Sequence, residues 1–407
     1  MTRVKSPGRP HRWEFKARFR RHAFGWRSQP AVERVKQAVA EIKRVARADP
    51  ILAGDGAVSL FERLSPALEH VDGSSGAIGA AVNRAIAELV PLVAGAPADT
   101  KTRAAWLERC WEAHAADQMP YIEALADHWG DLCASKEVAS TWADRLLGIT
   151  RMALSSNRDV RGYFHGTTAC LSALYRAERY AEVVQLLEGE GFWPYERWAV
   201  KALAAMGRTS DAIDYAESCR GPWTPDAGVD ALCEEILHAA GFVEQAYQRY
   251  GARPRQAATF LATFRAVARK YPHKAAADIL AELVRSTPGE EGKWFAAAKA
   301  AGLYDAALAL ASRSPCDPRT LTRAARDMVE KQPAFSMTAG LLALRWLVEG
   351  YGYDITGADV WAAYSITVRA AERAGVVDET RERIRDLVAG ESAGGFVRQI
   401  LGKELAL

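Results

Sequence analysis

A degenerate repeat of helical-hairpin length limits what this 407-residue chain can become. Aligning LYRAERYAEVVQLLE from Leu174, LAAMGRTSDAIDYAES from Leu203, LHAAGFVEQAYQRYG from Leu237 and AKAAGLYDAALALAS from Ala298 brings a turn residue to positions 178, 207, 241 and 302. A further match, ARKYPHKAAADILAELV, puts Tyr271 in the gap, so successive turns lie 29, 34, 30 and 31 residues apart. Gly207, Gly241 and Gly302 can take the left-handed conformation that ends a helix, which a side chain makes costly by roughly 1 kcal/mol or more. Five residues beyond each turn stand Val183, Ala212, Ala246, Ala276 and Ala307, small enough for a second helix to lie close against the first. Gly375 with Thr380 repeats the pattern. Between it and Gly302 there is room for one more hairpin, with Pro318 and Pro333 in first helical turns. Alanine, the best helix former, fills 77 of the 407 positions and argues against a mainly β protein.

Upstream, helical periodicity is clear in AVERVKQAVAEIKRVAR, AIGAAVNRAIAELVPLV and TRAAWLERCWEAHAA, but none of these aligns with the repeat. The expected organisation is a basic arm over residues 1–30, an irregular helical region over 31–160, and helical hairpins from 161 to 407. No aliphatic run reads as long enough to span a bilayer, and no signal peptide follows the basic start. With six scattered cysteines and no Cys-x-x-Cys pair, the chain is expected in the cytoplasm with reduced thiols.

Hairpins of this period, with a glycine turn and a following alanine, resemble the tetratricopeptide class of α-solenoids, although the Trp-x-x-Leu-Gly-x-x-Tyr signature is not reproduced. The stretches STPGEEGKWFAAAKAAGLYDAALALASRSPCDPRTLTRAARD and EGYGYDITGADVWAAYS resemble a family of uncharacterised bacterial helical-repeat proteins of similar length. These resemblances imply an all-α fold, a right-handed α-solenoid of tetratricopeptide-like hairpins, and no particular ligand. Some bacterial helical-repeat proteins accompany a SWIM-type zinc module with a Cys-x-Cys element; this chain has no such element, so no zinc is implied.

Charge is distributed unevenly. Residues 1–47 carry fourteen Lys and Arg against Glu14, Glu33 and Glu41, a net of +11, and the remaining residues therefore carry −8. Within the arm, Arg9, Arg12, Lys16, Arg18, Arg20, Arg21 and Arg27 interleave with Trp13, Phe15, Phe19, Phe24 and Trp26. Two readings follow from that mixture. Cations on phosphates and aromatic faces on bases would bind nucleic acid or another polyanion. Alternatively, the aromatics pack on the acidic body and the cations stay at the surface, since the same residues fit a helical stripe or a strand alternation.

Chemistry-bearing motifs are sparse. Gly73, Gly76 and Gly79 match neither a dinucleotide fingerprint nor a P-loop, and Ser74 or Ser75 reads as a helix N-cap. Glu235 and His238 make one Glu-x-x-His where a di-iron bundle needs two, so no metal is expected. His128 with Cys133, or His114 with Cys110, could meet a metal only through tertiary contacts, and His165 with Cys170 is the pairing to record for nucleophilic catalysis, with Cys170 read as structural. No catalytic residue and no cofactor is assigned. Lys201, Lys293 and Lys299 are candidates for a partner-binding surface, because first helices of stacked hairpins line such a face. The functional expectation is a non-enzymatic adaptor that holds a protein partner on its concave surface. The alternatives are a nucleic-acid-associated protein anchored by the arm and an enzyme with dispersed catalytic groups.

Overall fold

A computed structural model describes residues 11–155, 157, 159–251, 259–390 and 395–407. Among them are twenty-two α-helices and no strand, so the protein is all-α. The chain divides into two compact units, residues 1–232 and 233–407, each with its own apolar core. The boundary expected near residue 160 lies inside the first unit. There the helices Lys136–Ala153 and Thr167–Arg176 pack on each other, and Arg179 reaches back to Asp144 at 2.5 Å.

Four of the five aligned turn positions, and Gly375 after them, are left-handed. Glu178, Gly207, Gly241, Gly302 and Gly375 all have positive φ, between 60° and 84°. Around each, the next residue's N–H closes onto a carbonyl five positions back, as in Arg208 to Leu203 (3.0 Å), Phe242 to Leu237 (2.8 Å) and Leu303 to Ala298 (3.0 Å). This closure satisfies carbonyls that the end of a helix would otherwise leave bare. The intervening hairpin is formed by Pro318–Met328 and Pro333–Val348, whose prolines occupy first turns, and Gly350 makes the same closure after its second helix. Val183, Ala212, Ala246, Ala307 and Thr380 are all buried. Tyr271 corrects the register: its φ is −121°, it is buried with its hydroxyl donating to Glu234 at 2.5 Å, and Ala276 is partly exposed. The helix Ala276–Arg285 packs instead through Ile279, Leu280 and Leu283.

Helix Pro318–Met328 packs on Gly357–Ala374, and Pro333–Val348 packs on Val377–Ala389. Gly340 allows the close approach of Pro333–Val348 to Gly357–Ala374, because a Cβ there would overlap the Thr367 hydroxyl.

In the first unit, Ser28–Ala46, Pro50–Leu68 and Ala77–Gly95 pack around one another. Asp49 caps the second of these by accepting from the Leu52 N–H at 2.9 Å, with Pro50 in the first turn. The third begins at Gly76 in a left-handed conformation, so neither Ser74 nor Ser75 is the N-cap. The expectation about spanning length needs a correction here, since Ala77–Gly95 is long and apolar enough to cross a membrane by length and composition. Its face of Ile78, Val82, Ile86, Leu89, Val90 and Val93 is buried against the other helices, while Asn83 and Arg84 are exposed.

Candidate functional site

The arm's residues separate by chemistry. Arg9 lies outside the described residues. Trp13, Phe15 and Phe19 are 4%, 2% and 1% exposed and belong to the core of the first unit, so the stacking faces expected at Trp13 and Phe19 are occupied by packing. The short helix Glu14–Arg18 has no side-chain cap of its own. Glu41, buried on Ser28–Ala46, supplies it, accepting from the N–H groups of Glu14 (2.7 Å) and Phe15 (3.1 Å). Further along, the His22 N–H donates to the Pro66 carbonyl and the Asp72 N–H to the Trp26 carbonyl, at 2.9 and 2.8 Å. Arg18 is exposed and pairs with Glu14 at 3.1 Å. Arg12, Arg20, Arg21 and Arg27 are exposed and Lys16 half-buried, and none of these five forms an ion pair among the described residues.

The three candidate lysines are each engaged. In the first unit, Lys201 lies over the Trp198 ring at 4.7 Å. It lines a cavity of about 500 Å³ with Asp127, His128, Asp131, Arg176 and Arg197. There the Asp131 carboxyl is held below its ordinary range by a hydrogen bond from His128. In the second unit, Lys293 pairs with Glu290 at 2.5 Å above the Phe260 ring, and Lys299 pairs with Asp327 at 2.8 Å.

Sequence reasoning missed a cationic groove in the second unit. Helix Pro318–Met328 buries Leu321, Thr322, Ala324, Ala325 and Met328 and turns Arg319, Arg323 and Arg326 outward at i, i+4 and i+7. These three line a cavity of about 190 Å³ with Leu347, Asp359 and Ala362. Arg319 forks onto Asp359 (2.8 and 2.9 Å), and that guanidinium, with the Thr356 N–H and hydroxyl, holds the Asp359 carboxyl well below the usual carboxylate range. Arg323 and Arg326 are exposed and form no ion pair among the described residues. The neighbouring carboxylates are committed elsewhere: Asp327 to Lys299, and Glu330 to both Arg369 (2.9 Å) and Arg373 (2.8 Å). Of six cations on three helices, four pair with three carboxylates, Asp317 and Asp354 add their field at Arg319, and Arg323 and Arg326 pair with none among the described residues. The spacing was visible in DPRTLTRAARD, but which acids remain for which arginines is decided only by tertiary contacts.

The Cys170 thiol is buried against Ala143 and pushed up to about 11 by desolvation, while the His165 ring stacks on Trp111 at 5.2 Å. Cys110, Cys133 and Cys316 are likewise pushed up to about 12 by burial. Among the described residues no group of three or more His, Cys, Asp and Glu side chains is placed to hold a metal. No protein-family model matches the chain, and no curated protein matches it either.

The buried His114 and the half-buried His165 give this region a pH dependence. His114 Nε2–H donates to the His165 carbonyl at 3.1 Å, which leaves Nδ1 buried without a partner. Desolvation lowers the pKa of both rings, aided at His165 by His114 and opposed at His114 by the hydrogen bond and Asp117. The unfolded chain thus binds more protons than the folded one below the ordinary histidine pKa. Stability is complete above about 6.5 and falls as pH drops from there toward the folded values. His114→Gln keeps a donor and removes the titration. Denaturant unfolding at pH 7.5 and pH 5.5 should show a smaller acid loss in the variant; equal losses would contradict the assignment.

Proposed function

We propose that this chain is a non-enzymatic, tetratricopeptide-like helical-repeat adaptor that holds an acidic segment of a protein partner across the first helices of its stacked hairpins. A right-handed stack and a cytoplasmic setting, where its cysteines stay reduced, belong to the same reading. The observation that carries it is the cation excess running from Lys299 through Arg319, Arg323 and Arg326 to Arg369 and Arg373, tied across three helices by ion pairs. Such a face attracts acidic chains at long range and rejects basic ones. Recurrent left-handed turns and buried small residues support the repeat itself. A displayed peptide library panned on the full-length protein should enrich Asp- and Glu-rich segments, and Arg323→Glu with Arg369→Glu should abolish that enrichment. Selection of basic or apolar segments, or an unaffected variant, would overturn the reading.

A second reading keeps the arm as a polyanion anchor. It is favoured by Trp26, which is 73% exposed beside the unpaired Arg27, with Arg20 and Arg21 also unpaired. It requires affinity for a labelled single-stranded oligonucleotide that falls steeply with salt and is lost when those three arginines become alanine.

A further inference from the structure

We infer that the groove formed by Arg319, Arg323 and Arg326 is a receptor for one phosphate monoester on the partner segment, a phosphorylated side chain within acidic sequence. The inference rests on the adaptor reading for the carrier and on the groove's own chemistry for the phosphoryl group.

Three guanidiniums on one helical face repel one another, and the helix tolerates this with one carboxylate in the groove, Asp359. That carboxylate is fully used: it takes both arms of Arg319, accepts from the Thr356 N–H at 2.9 Å and from its hydroxyl at 2.8 Å. Arg319 is also fixed by donating to the Asp354 carbonyl at 2.7 Å, so it forms a rigid wall. Arg323 and Arg326 then leave two positive charges facing the cavity with no counter-ion among the described residues. A phosphate monoester at neutral pH carries between about 1.5 and 2 negative charges and three acceptor oxygens, which match two forked donors. A glutamate carries half that charge.

Size and lining point the same way. About 190 Å³ suits one compact oxyanion. Leu347, Ala362 and Pro318 make part of the wall apolar, and the Thr322 hydroxyl is spent on the Pro318 carbonyl at 2.8 Å, so the anion is left to the arginines. The flanking pair Arg369 with Glu330 is exposed and the pair Lys299 with Asp327 half-buried on its lysine side, and acidic residues beside the phosphorylated position can exchange into both.

The test uses the full-length protein and two degenerate acidic peptide pools that differ in one fixed position, phosphoserine or serine. The phosphorylated pool should bind at least about tenfold more tightly. Arg323→Ala with Arg326→Ala should erase that gap while residual binding of the serine pool persists. Arg323→Lys with Arg326→Lys should restore only part of it, since an ammonium lacks the fork. Both arginines are exposed, so the variants should keep the wild-type far-ultraviolet circular dichroism, a check made first. Equal binding of the two pools would overturn the phosphoryl assignment and leave the adaptor standing. No binding of either pool would remove both. A thermal shift with inorganic phosphate that these arginines control, without peptide binding, would overturn the peptide carrier in favour of a small phosphate ligand.

Discussion

Trp13→Ala should lower the stability of the first unit by about 3–5 kcal/mol, the range for emptying a buried aromatic site. The indole is 4% exposed, lies beside Phe15 with ring centres 5.4 Å apart, and covers Gly56, where even a Cβ would collide with its six-membered ring. Gly56→Val should therefore inflict comparable damage from the other side of the contact, with the arm's sequence untouched. Because the chain has two units, one melting temperature is a poor readout. Hydrogen exchange on the full-length protein separates them: amides of Ser28–Ala46 and Pro50–Leu68 should lose protection by about a hundredfold or more in both variants. Protection within a factor of about five of wild type would mean that the arm rests on the body without contributing to it.

That contact also explains where sequence reasoning stopped. A net charge of +11 over 47 residues, with aromatics fitting two periodicities, favours docking only slightly over polyanion binding. What separates them is Glu41 reaching back to uncapped N–H groups and Gly56 making room for an indole, and both are pairings across more than twenty residues. The turns were legible for the opposite reason. A left-handed residue followed by a buried small one is a local demand, so Gly207, Gly241, Gly302 and Gly375 mark it in composition, and position alone located Glu178. Tyr271 misled because spacing was accepted there without turn chemistry. The cationic groove lies between these cases. Its spacing is local, but its unpaired state depends on Asp327 and Glu330 being drawn away to Lys299, Arg369 and Arg373.

The second large effect is expected at Arg103, where no partner is visible in sequence at all. Its guanidinium is 9% exposed and faces no carboxylate hydrogen-bond partner; it donates instead to the carbonyls of Val93 (3.1 Å), Ala94 (3.4 Å), Ala96 (2.7 Å) and Leu132 (3.4 Å). Those groups close the C-terminal end of Ala77–Gly95 and join it to Trp129–Cys133, so one side chain adds donors to carbonyls at both helix ends, beside the Ala98 N–H on Ala96 and the Ala96 N–H on Val93. Burial lowers the Arg103 pKa, but from a starting value so high that the group stays charged, and the negative ends of the peptide dipoles compensate it. Arg103→Met keeps most of the volume and removes the charged donors from four carbonyls, at a cost of about 3 kcal/mol. Arg103→Lys should recover less than half of that, because a single ammonium does not span acceptors on two helices. Exchange of the last turn of Ala77–Gly95 and of Trp129–Cys133 should rise together in the Met variant. Loss confined to one of the two helices, or a cost below about 1 kcal/mol, would show that water replaces the guanidinium and that the junction does not depend on it.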